Sequence, residues 1–221
     1  PRPAKWGIDS EYGRLRDLLI GPIDNYHWTP GNAVSQRSER LGLAFDSDVV
    51  RAQYQEMIAA YEEAGVNVYQ IPAEAGLPYQ VYARDSSVMT PWGAIIMQME
   101  KPYRRGEYAA VLRFYLEHGI PIYDIVSAGN VEGGDFMVLK PGVAICGYSG
   151  ERSIEPAVNQ LKNWFEAEGW EFMTYAFDPH FLHLDVQMGM IAEDLAVVCV
   201  EAVEPGLVDW LKSKQIRIME I

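Results

Sequence analysis

The stretch Asn130-Val131-Glu132-Gly133-Gly134-Asp135-Phe136-Met137-Val138-Leu139 sets two carboxylates around a Gly-Gly pair and then runs into a strongly apolar strand. Alone, it is a turn with charges at a strand entrance. Two companions change that reading: Tyr82-Ala83-Arg84-Asp85 before one apolar segment, and His183-Leu184-Asp185 before another. Three acidic clusters at strand entrances, separated by helical stretches, point to one site assembled at the centre of a repeated architecture. Carboxylates gathered with one histidine suit a cation rich in hydrogen-bond donors, and a guanidinium is the obvious candidate.

Outward from this stretch the elements recur in a fixed order. Residues 15–20 read as a strand ending at Gly21-Pro22, and 26–45 as a long irregular loop. Residues 46–64 have helical periodicity, with Val49, Val50, Tyr54, Met57, Ile58 and Tyr61 on one face and Gly65 as the stop. A strand over 67–71 precedes the Asp85 segment, and another covers 94–99. The cycle returns with a helix at 108–118, a strand at 121–126, the Glu132 segment, and strands at 136–139 and 143–146 joined by Pro141-Gly142. A third cycle has a helix at 153–168, a strand at 171–176, the His183 segment, and strands at 186–191 and 195–200. A fourth opens with a helix at 206–213 and a strand at 216–221. The period is roughly 50 to 60 residues, each unit giving a helix, a strand, a polar loop and a hairpin. A mixed α/β sheet without internal symmetry is the alternative.

Composition fits one domain over residues 1–221: 49% of the 221 residues are apolar, enough for a substantial core. No apolar run approaches the ~20 residues that span a bilayer, and the N-terminal residues carry no signal core. A soluble, cytoplasmic protein without a membrane partner is expected. The net charge of −13 argues against nucleic acid, whose phosphates need a basic face. It agrees with a cationic small molecule, although most acidic surfaces serve solubility alone. Cys146 and Cys199 both lie in apolar strand patterns, as small buried groups do, with neither metal-site spacing nor an expected disulfide.

With these residues in view, the sequence resembles the guanidino-group-modifying enzymes, or penteins: arginine deiminases, dimethylarginine dimethylaminohydrolases and arginine amidinotransferases. The motifs are Ala83-Arg84-Asp85, Glu132-Gly133-Gly134-Asp135 and His183-Leu184-Asp185, in the family's order. Arg104-Arg105-Gly106-Glu107 and Gly150-Glu151-Arg152-Ser153 look like further elements. Each motif is weak; the ordered set is specific and covers nearly the whole chain from Leu15. The resemblance implies a five-bladed α/β propeller of ββαβ-type units, with the site at its central axis. It implies that Asp85 and Glu132 hold the guanidinium, that His183 is the general acid/base with Asp185 beside it, and that Arg104 and Arg152 bind a substrate carboxylate. The family's nucleophilic cysteine lies in the last blade, and no residue here matches it. Ile221 falls at the first strand of what reads as the fourth blade, so a missing C-terminal closing segment is expected, with the nucleophile beyond residue 221. A propeller without that segment leaves an unpaired sheet edge.

The chemistry suits these residue types. A guanidinium is planar and presents its donors in a fixed fork that carboxylates accept in charge-assisted pairs. Holding the plane exposes the central carbon to a thiolate, and a histidine protonates the departing amine and later activates water. On a strand, His183 and Asp185 would share a face as an acid/base unit. Asp85 read alone is a strand-entry turn residue, and Asp135 reads as structural. No cofactor is called for, and with one histidine in the motifs no metal is expected. His27, His118 and His180 read as surface or packing residues, and Trp6, Trp28, Trp92 and Trp164 as packing, while the long loop around Trp28 is a candidate lid. Hydrolysis of C–N bonds in a linear amidine, through a cysteine intermediate, is the leading expectation. An amidinotransferase is the runner-up, and a non-catalytic pentein of the ribosome anti-association kind is the alternative from another class. His183-Leu184-Asp185 looks more like deiminases and amidinotransferases, the compact repeats more like dimethylargininases. The guanidino substrate and assembly into a homo-oligomer therefore stay open.

Overall fold

The computed structural model describes residues 6–28, 33–43 and 45–221. Its contacts form two compact units, Leu15–Ala83 and the remainder, Pro1–Arg14 with Arg84–Ile221. In the first, β1 (Asp17–Ile20) pairs in parallel with β2 (Asn67–Gln70), and α1 (Ala33–Arg40) and α2 (Ser47–Glu63) lie between them in sequence. Helix α1 falls inside the stretch expected to be irregular. Its sequence, Ala-Val-Ser-Gln-Arg-Ser-Glu-Arg, has no apolar stripe from which a period can be read. Residues 29–32 and 44, and with them part of the candidate lid around Trp28, lie outside the described residues.

Helix α2 begins where Asp46 accepts the backbone N–H groups of Asp48 and Val49, at 3.0 and 3.1 Å, satisfying two donors that the first turn leaves open. Of the face expected from sequence, Val50, Tyr54 and Ile58 pack inward with Ile20 and Ile23. Val49 and Met57 are instead 50% and 40% exposed. The spacing explains the correction, because Val50, Tyr54 and Ile58 recur every fourth residue and define the stripe, whereas Val49 and Met57 flank it.

In the second unit one plan is used three times. A 3₁₀ turn leads into an antiparallel hairpin, the chain crosses through a helix, and a third strand returns parallel to the hairpin's second strand. The first instance is β3 (Ser87–Thr90), β4 (Gly93–Ile96), α3 (Glu107–Glu117) and β5 (Ile122–Ile125). The second is β6 (Phe136–Lys140), β7 (Val143–Tyr148), α4 (Glu155–Ala167) and β8 (Glu171–Ala176). The third is β9 (Met188–Ala192), β10 (Leu195–Val198), α5 (Pro205–Ser213) and β11 (Arg217–Glu220). The hairpins close alike: Met97 N–H donates to Ser86 at 3.0 Å, Phe136 faces Cys146, and Cys199 N–H donates to Gln187 at 2.8 Å.

The opening stretch shows why β6 is an unbroken apolar run. Phe136 and Val138 enter one core cluster, with Ala144, Cys146, Leu161 and Phe165. Met137 and Leu139 enter another, with Ile145, Met188, Val198 and Leu211. A strand buried on both faces has no solvent face to make polar, so alternation vanishes. The third sheet buries Met188, Met190 and Val198 on one face, while Ile191 and Met219 are about half exposed. Its expected first strand at 186–191 starts only at Met188, because Leu184–Val186 forms the 3₁₀ turn. Trp6 packs edge-on against Phe114, and Trp92 against Phe165 and Trp170. No helix among the described residues is long and apolar enough to cross a membrane.

Candidate active site

Every buried charged side chain among the described residues belongs to one cluster: Asp85, Arg104, Glu107, Glu132, Asp135, Arg152 and His183. The repeated turns deliver them. Asp85 ends the turn Ala83–Asp85, Glu132 and Asp135 bracket the turn Gly133–Asp135, and His183 caps the turn Leu184–Val186. Arg104 ends a further 3₁₀ turn, Pro102–Arg104, and Glu107 opens α3. Equivalent strand entrances thus aim their polar residues at one another, which three separate acidic turns would not do.

At the centre stand Asp85, Glu132 and His183. Asp85 accepts the Gly134 N–H on Oδ1 at 3.0 Å and Arg104 Nη1 on Oδ2 at 2.9 Å. Glu132 Oε1 accepts the Glu100 N–H at 3.1 Å, and Oε2 lies 3.2 Å from Arg152 Nη1 and 3.7 Å from Arg104 Nη1. His183 Nε2 is 3.5 Å from Glu132 Oε2 and 3.7 Å from Asp85 Oδ1. Its Nδ1 is 3.2 Å from Asp135 Oδ2, although the ring N–H is not well aimed along that line. Asp135 is fixed in turn by the Leu184 N–H at 3.0 Å and by the Ser153 hydroxyl, which also accepts the Glu132 N–H at 3.1 Å.

Four buried carboxylates face two buried guanidiniums, so the cluster is two charges from neutrality with His183 neutral and one with it protonated. Unpaired charge in a buried place is expensive, and it sets the direction in which these groups shift. Burial pushes Glu132 up, opposed by Arg152 and Arg104 and reinforced by Asp85, with a net rise. For His183, burial acts downward, but the Asp135 contact and the charges of Asp85, Asp135 and Glu132 outweigh it, so its pKa ends above the ordinary histidine value. A pKa raised by folding means that the protonated ring stabilises the fold. That contribution is complete below the ordinary value and is lost as pH climbs through the raised one. Asp135→Asn removes the nearest upward influence and leaves burial in place. It is expected to lower the His183 pKa, which a ¹H–¹⁵N titration of the imidazole would check.

Residues 28–219 match the family described as N,N dimethylarginine dimethylhydrolase, eukaryotic. The chain belongs to that family. It is 26% identical over 217 residues to the uncharacterized protein YkgA of Bacillus subtilis, covering 96% of this chain and 72% of that one. Its fold is shared with the dimethylarginine dimethylaminohydrolase (DDAH) from Pseudomonas aeruginosa, solved as a cysteine-to-serine mutant complexed with citrulline. That match has a TM-score of 0.73 at 19% identity, over 94% of this chain and 76% of the other. The fold is also shared with the N-terminal domain of ArgZ, an arginine dihydrolase from the ornithine-ammonia cycle in Cyanobacteria, solved as a cysteine-to-serine mutant bound to substrate. There the TM-score is 0.75 at 16% identity, over 93% of this chain and 75% of the other. The architecture is therefore the pentein α/β propeller that the motifs implied.

In this dimethylhydrolase-family chain, several residues stand differently from what sequence spacing suggests. Asp185 lies in a 3₁₀ turn, where residues two apart do not share a face as they would on a strand. The carboxylate against the His183 ring is Asp135, while Asp185 pairs with Arg84, Nε to Oδ2, at 3.3 Å. All three Arg104 nitrogens meet carboxylates: Nε and Nη2 fork onto Glu107 at 2.9 and 2.8 Å, and Nη1 meets Asp85. Arg152 meets the cluster through Nη1 on Glu132. The glycine pair serves the protein's own packing. A Cβ on Gly133 would stand 1.9 Å from the Arg84 carbonyl oxygen, and one on Gly134 would stand 2.7 Å from His183 Cγ. Asp135, which reads from sequence as structural, does order its loop through Ser153 and the Leu184 N–H and also faces the His183 ring, while Glu107 and Ser153 carry no role in the sequence reading. The second acidic residue of Glu-Gly-Gly-Asp and the acidic residue closing Arg-Arg-Gly-Glu were the available signals.

Asp85, Glu132 and His183 each offer one donor atom, all within 4.8 Å of one another, a spacing a metal ion could use. The carboxylates among them are already bonded by guanidinium and backbone N–H groups. Their surroundings suit an N–H-rich cation, since a metal would have to displace Arg104 and Arg152.

Proposed function

We propose that the protein hydrolyses the guanidino group of arginine or a substituted arginine through a thiolate nucleophile. The observation that carries this reading is the single buried cluster with carboxylates in excess, converging with the Nε2 edge of His183. Asp85 and Glu132 accept the N–H groups of the substrate guanidinium, and Arg104 and Arg152 bind its carboxylate. A thiolate adds to the central carbon and forms a C–S bond. His183, with Asp135 3.2 Å from its Nδ1, gives a proton to the departing nitrogen, and the C–N bond breaks to release ammonia or a methylated amine. Neutral His183 then takes a proton from water, hydroxide adds to the same carbon, and the C–S bond breaks to leave a ureido product and the thiolate. Asp185 stays within electrostatic range of His183 and Asp85 and modulates the same proton.

Neither cysteine of residues 1–221 suits the attack. Cys146 is fully buried, and burial with Asp135 nearby pushes its thiol well above the ordinary value, which disfavours the thiolate. Cys199 follows β10, half-buried, and is not among the residues of the buried charged cluster. The nucleophile is accordingly assigned outside residues 1–221. Both solved relatives were captured with ligand as cysteine-to-serine mutants, which supports a thiol in this chemistry.

The test is product analysis on the full-length protein. Release of ammonia from arginine, or of a methylated amine from N,N-dimethylarginine, with a ureido product, is expected. Product that forms only when glycine or another amine is added would instead indicate amidino transfer. No turnover and no binding of any guanidino compound would overturn the reading.

A further inference from the structure

His183 Nδ1 is a buried ring nitrogen that lies 3.2 Å from Asp135 Oδ2 yet makes no well-aimed hydrogen bond among the described residues. A buried polar atom left in that state is uncommon and calls for a reason. Here both partners are held from elsewhere. The ring lies against Gly134, where a Cβ would stand 2.7 Å from its Cγ. The carboxylate is held at Oδ1 by the Leu184 N–H at 3.0 Å and at Oδ2 by the Ser153 hydroxyl. Ser153 therefore already occupies the oxygen that the ring faces. The same hydroxyl accepts the Glu132 N–H at 3.1 Å, and its single proton goes to Asp135. Ser153 is 0% exposed and its backbone is fixed on both sides. Its carbonyl accepts the Gly150 N–H at 2.9 Å, and the next N–H, of Ile154, donates to Asn130 at 3.0 Å.

We propose that Ser153 is a positioning residue that shares Asp135 Oδ2 with His183 and keeps the ring from closing fully onto that oxygen. This inference rests on the acid/base reading of His183 above and deepens it. A full bond from Nδ1–H to Oδ2 would stabilise the imidazolium and make Nε2 a more reluctant proton donor. With the hydroxyl on Oδ2, part of that stabilisation is withheld, and Nε2 gives its proton to the departing nitrogen more readily. An acid serves best when its strength lies near the working pH, so this restraint favours turnover. The other charged groups facing the ring are Asp85 and Glu132 from neighbouring turns and Asp185 from its own. Among the described contacts their carboxylates make no bond to Ser153, so a change of its hydroxyl reaches the ring through Asp135.

The test uses the full-length protein, read by ¹H–¹⁵N titration of the imidazole and by the pH–rate profile. Ser153→Ala is expected to move the His183 midpoint to higher pH, with the ring holding its proton about two- to tenfold more tightly, the worth of one hydrogen bond. The histidine limb of the pH–rate profile should move the same way. Ser153→Thr keeps the hydroxyl and should return the midpoint close to that of the wild type. In an Asp135→Asn background, Ser153→Ala should move the midpoint no further, because the shared oxygen is gone. An unchanged or lowered midpoint in a folded Ser153→Ala variant, or an equal shift in the Asp135→Asn background, would overturn the proposal. Should Ser153→Ala fail to fold, Ser153→Cys keeps a weaker donor in similar volume and should raise the midpoint by a smaller amount. No movement there overturns the proposal equally. The titration needs no turnover, so a midpoint that moves in a protein releasing no amine fails the hydrolase reading alone. A midpoint that stays put in an enzyme that does release amine fails the role of Ser153 alone.

Discussion

His183→Ala is expected to lower kcat for amine release from a guanidino substrate by about 10²- to 10⁴-fold, the usual contribution of a positioned acid/base group. Among the described residues, His183 is the histidine whose ring reaches toward both cage carboxylates, with Nε2 3.5 Å from Glu132 and Nδ1 3.2 Å from Asp135. Removing the ring leaves Asp135 its bonds from Leu184 and Ser153, so the turn that carries residue 183 keeps its supports. Substrate binding should change much less than kcat, because Asp85 and Glu132 remain. The pH–rate profile should also lose the limb that reports the histidine. Rapid-quench and steady-state kinetics on a variant shown by its melt to be folded would decide it. Unchanged turnover would remove His183 from the chemistry.

Gly133→Ala is expected to destabilise the fold by about 3 kcal/mol, near the top of the range for overpacking, and to abolish activity. The new Cβ would stand 1.9 Å from the Arg84 carbonyl oxygen and 3.0 Å from the Val88 side chain. A side chain can rotate away from a clash, but a backbone carbonyl two residues before Ser86 cannot move without dragging the Asp85 turn. The damage therefore reaches the cage directly, through the Gly134 N–H that donates to Asp85. For a protein of this size the melting temperature should fall by roughly 6 to 12 °C. A melt within a degree or two of wild type would mean that the two turns are not in contact as described.

Both predictions depend on contacts between turns far apart in sequence, and this marks what the sequence could show. The order of helices and hairpins was legible because α2, α3 and α4 are each followed by a glycine, Gly65, Gly119 and Gly169, and each hairpin is apolar; α5 instead closes with Gln215 at positive φ. The doubly buried β6 was legible as a strand from its length and its turn at Pro141-Gly142, even though no alternation survives. Helix α1 was not, since a polar segment of eight residues has no stripe to read. At the site, Asp85, Glu132 and His183 were legible as residue types at equivalent places in a repeat. Their partners were not. Asp135 meets His183 across 48 positions, and Ser153 reaches back to both Asp135 and Glu132, which no local period reveals. The pairing of His183 with Asp185 assumed a strand where the chain makes a 3₁₀ turn.

The gathering in one place of the buried charge among the described residues, with acid in excess, has a practical consequence. Crowded anions repel one another most when nothing cationic sits among them, so an occupied site is a sturdier protein than a vacant one. Heat resistance then becomes a readout of occupancy. At a hundredfold excess over Kd a ligand adds about 2.7 kcal/mol, and libraries of amidines and alkylated guanidines can be ranked by thermal shift alone, before any turnover is measured.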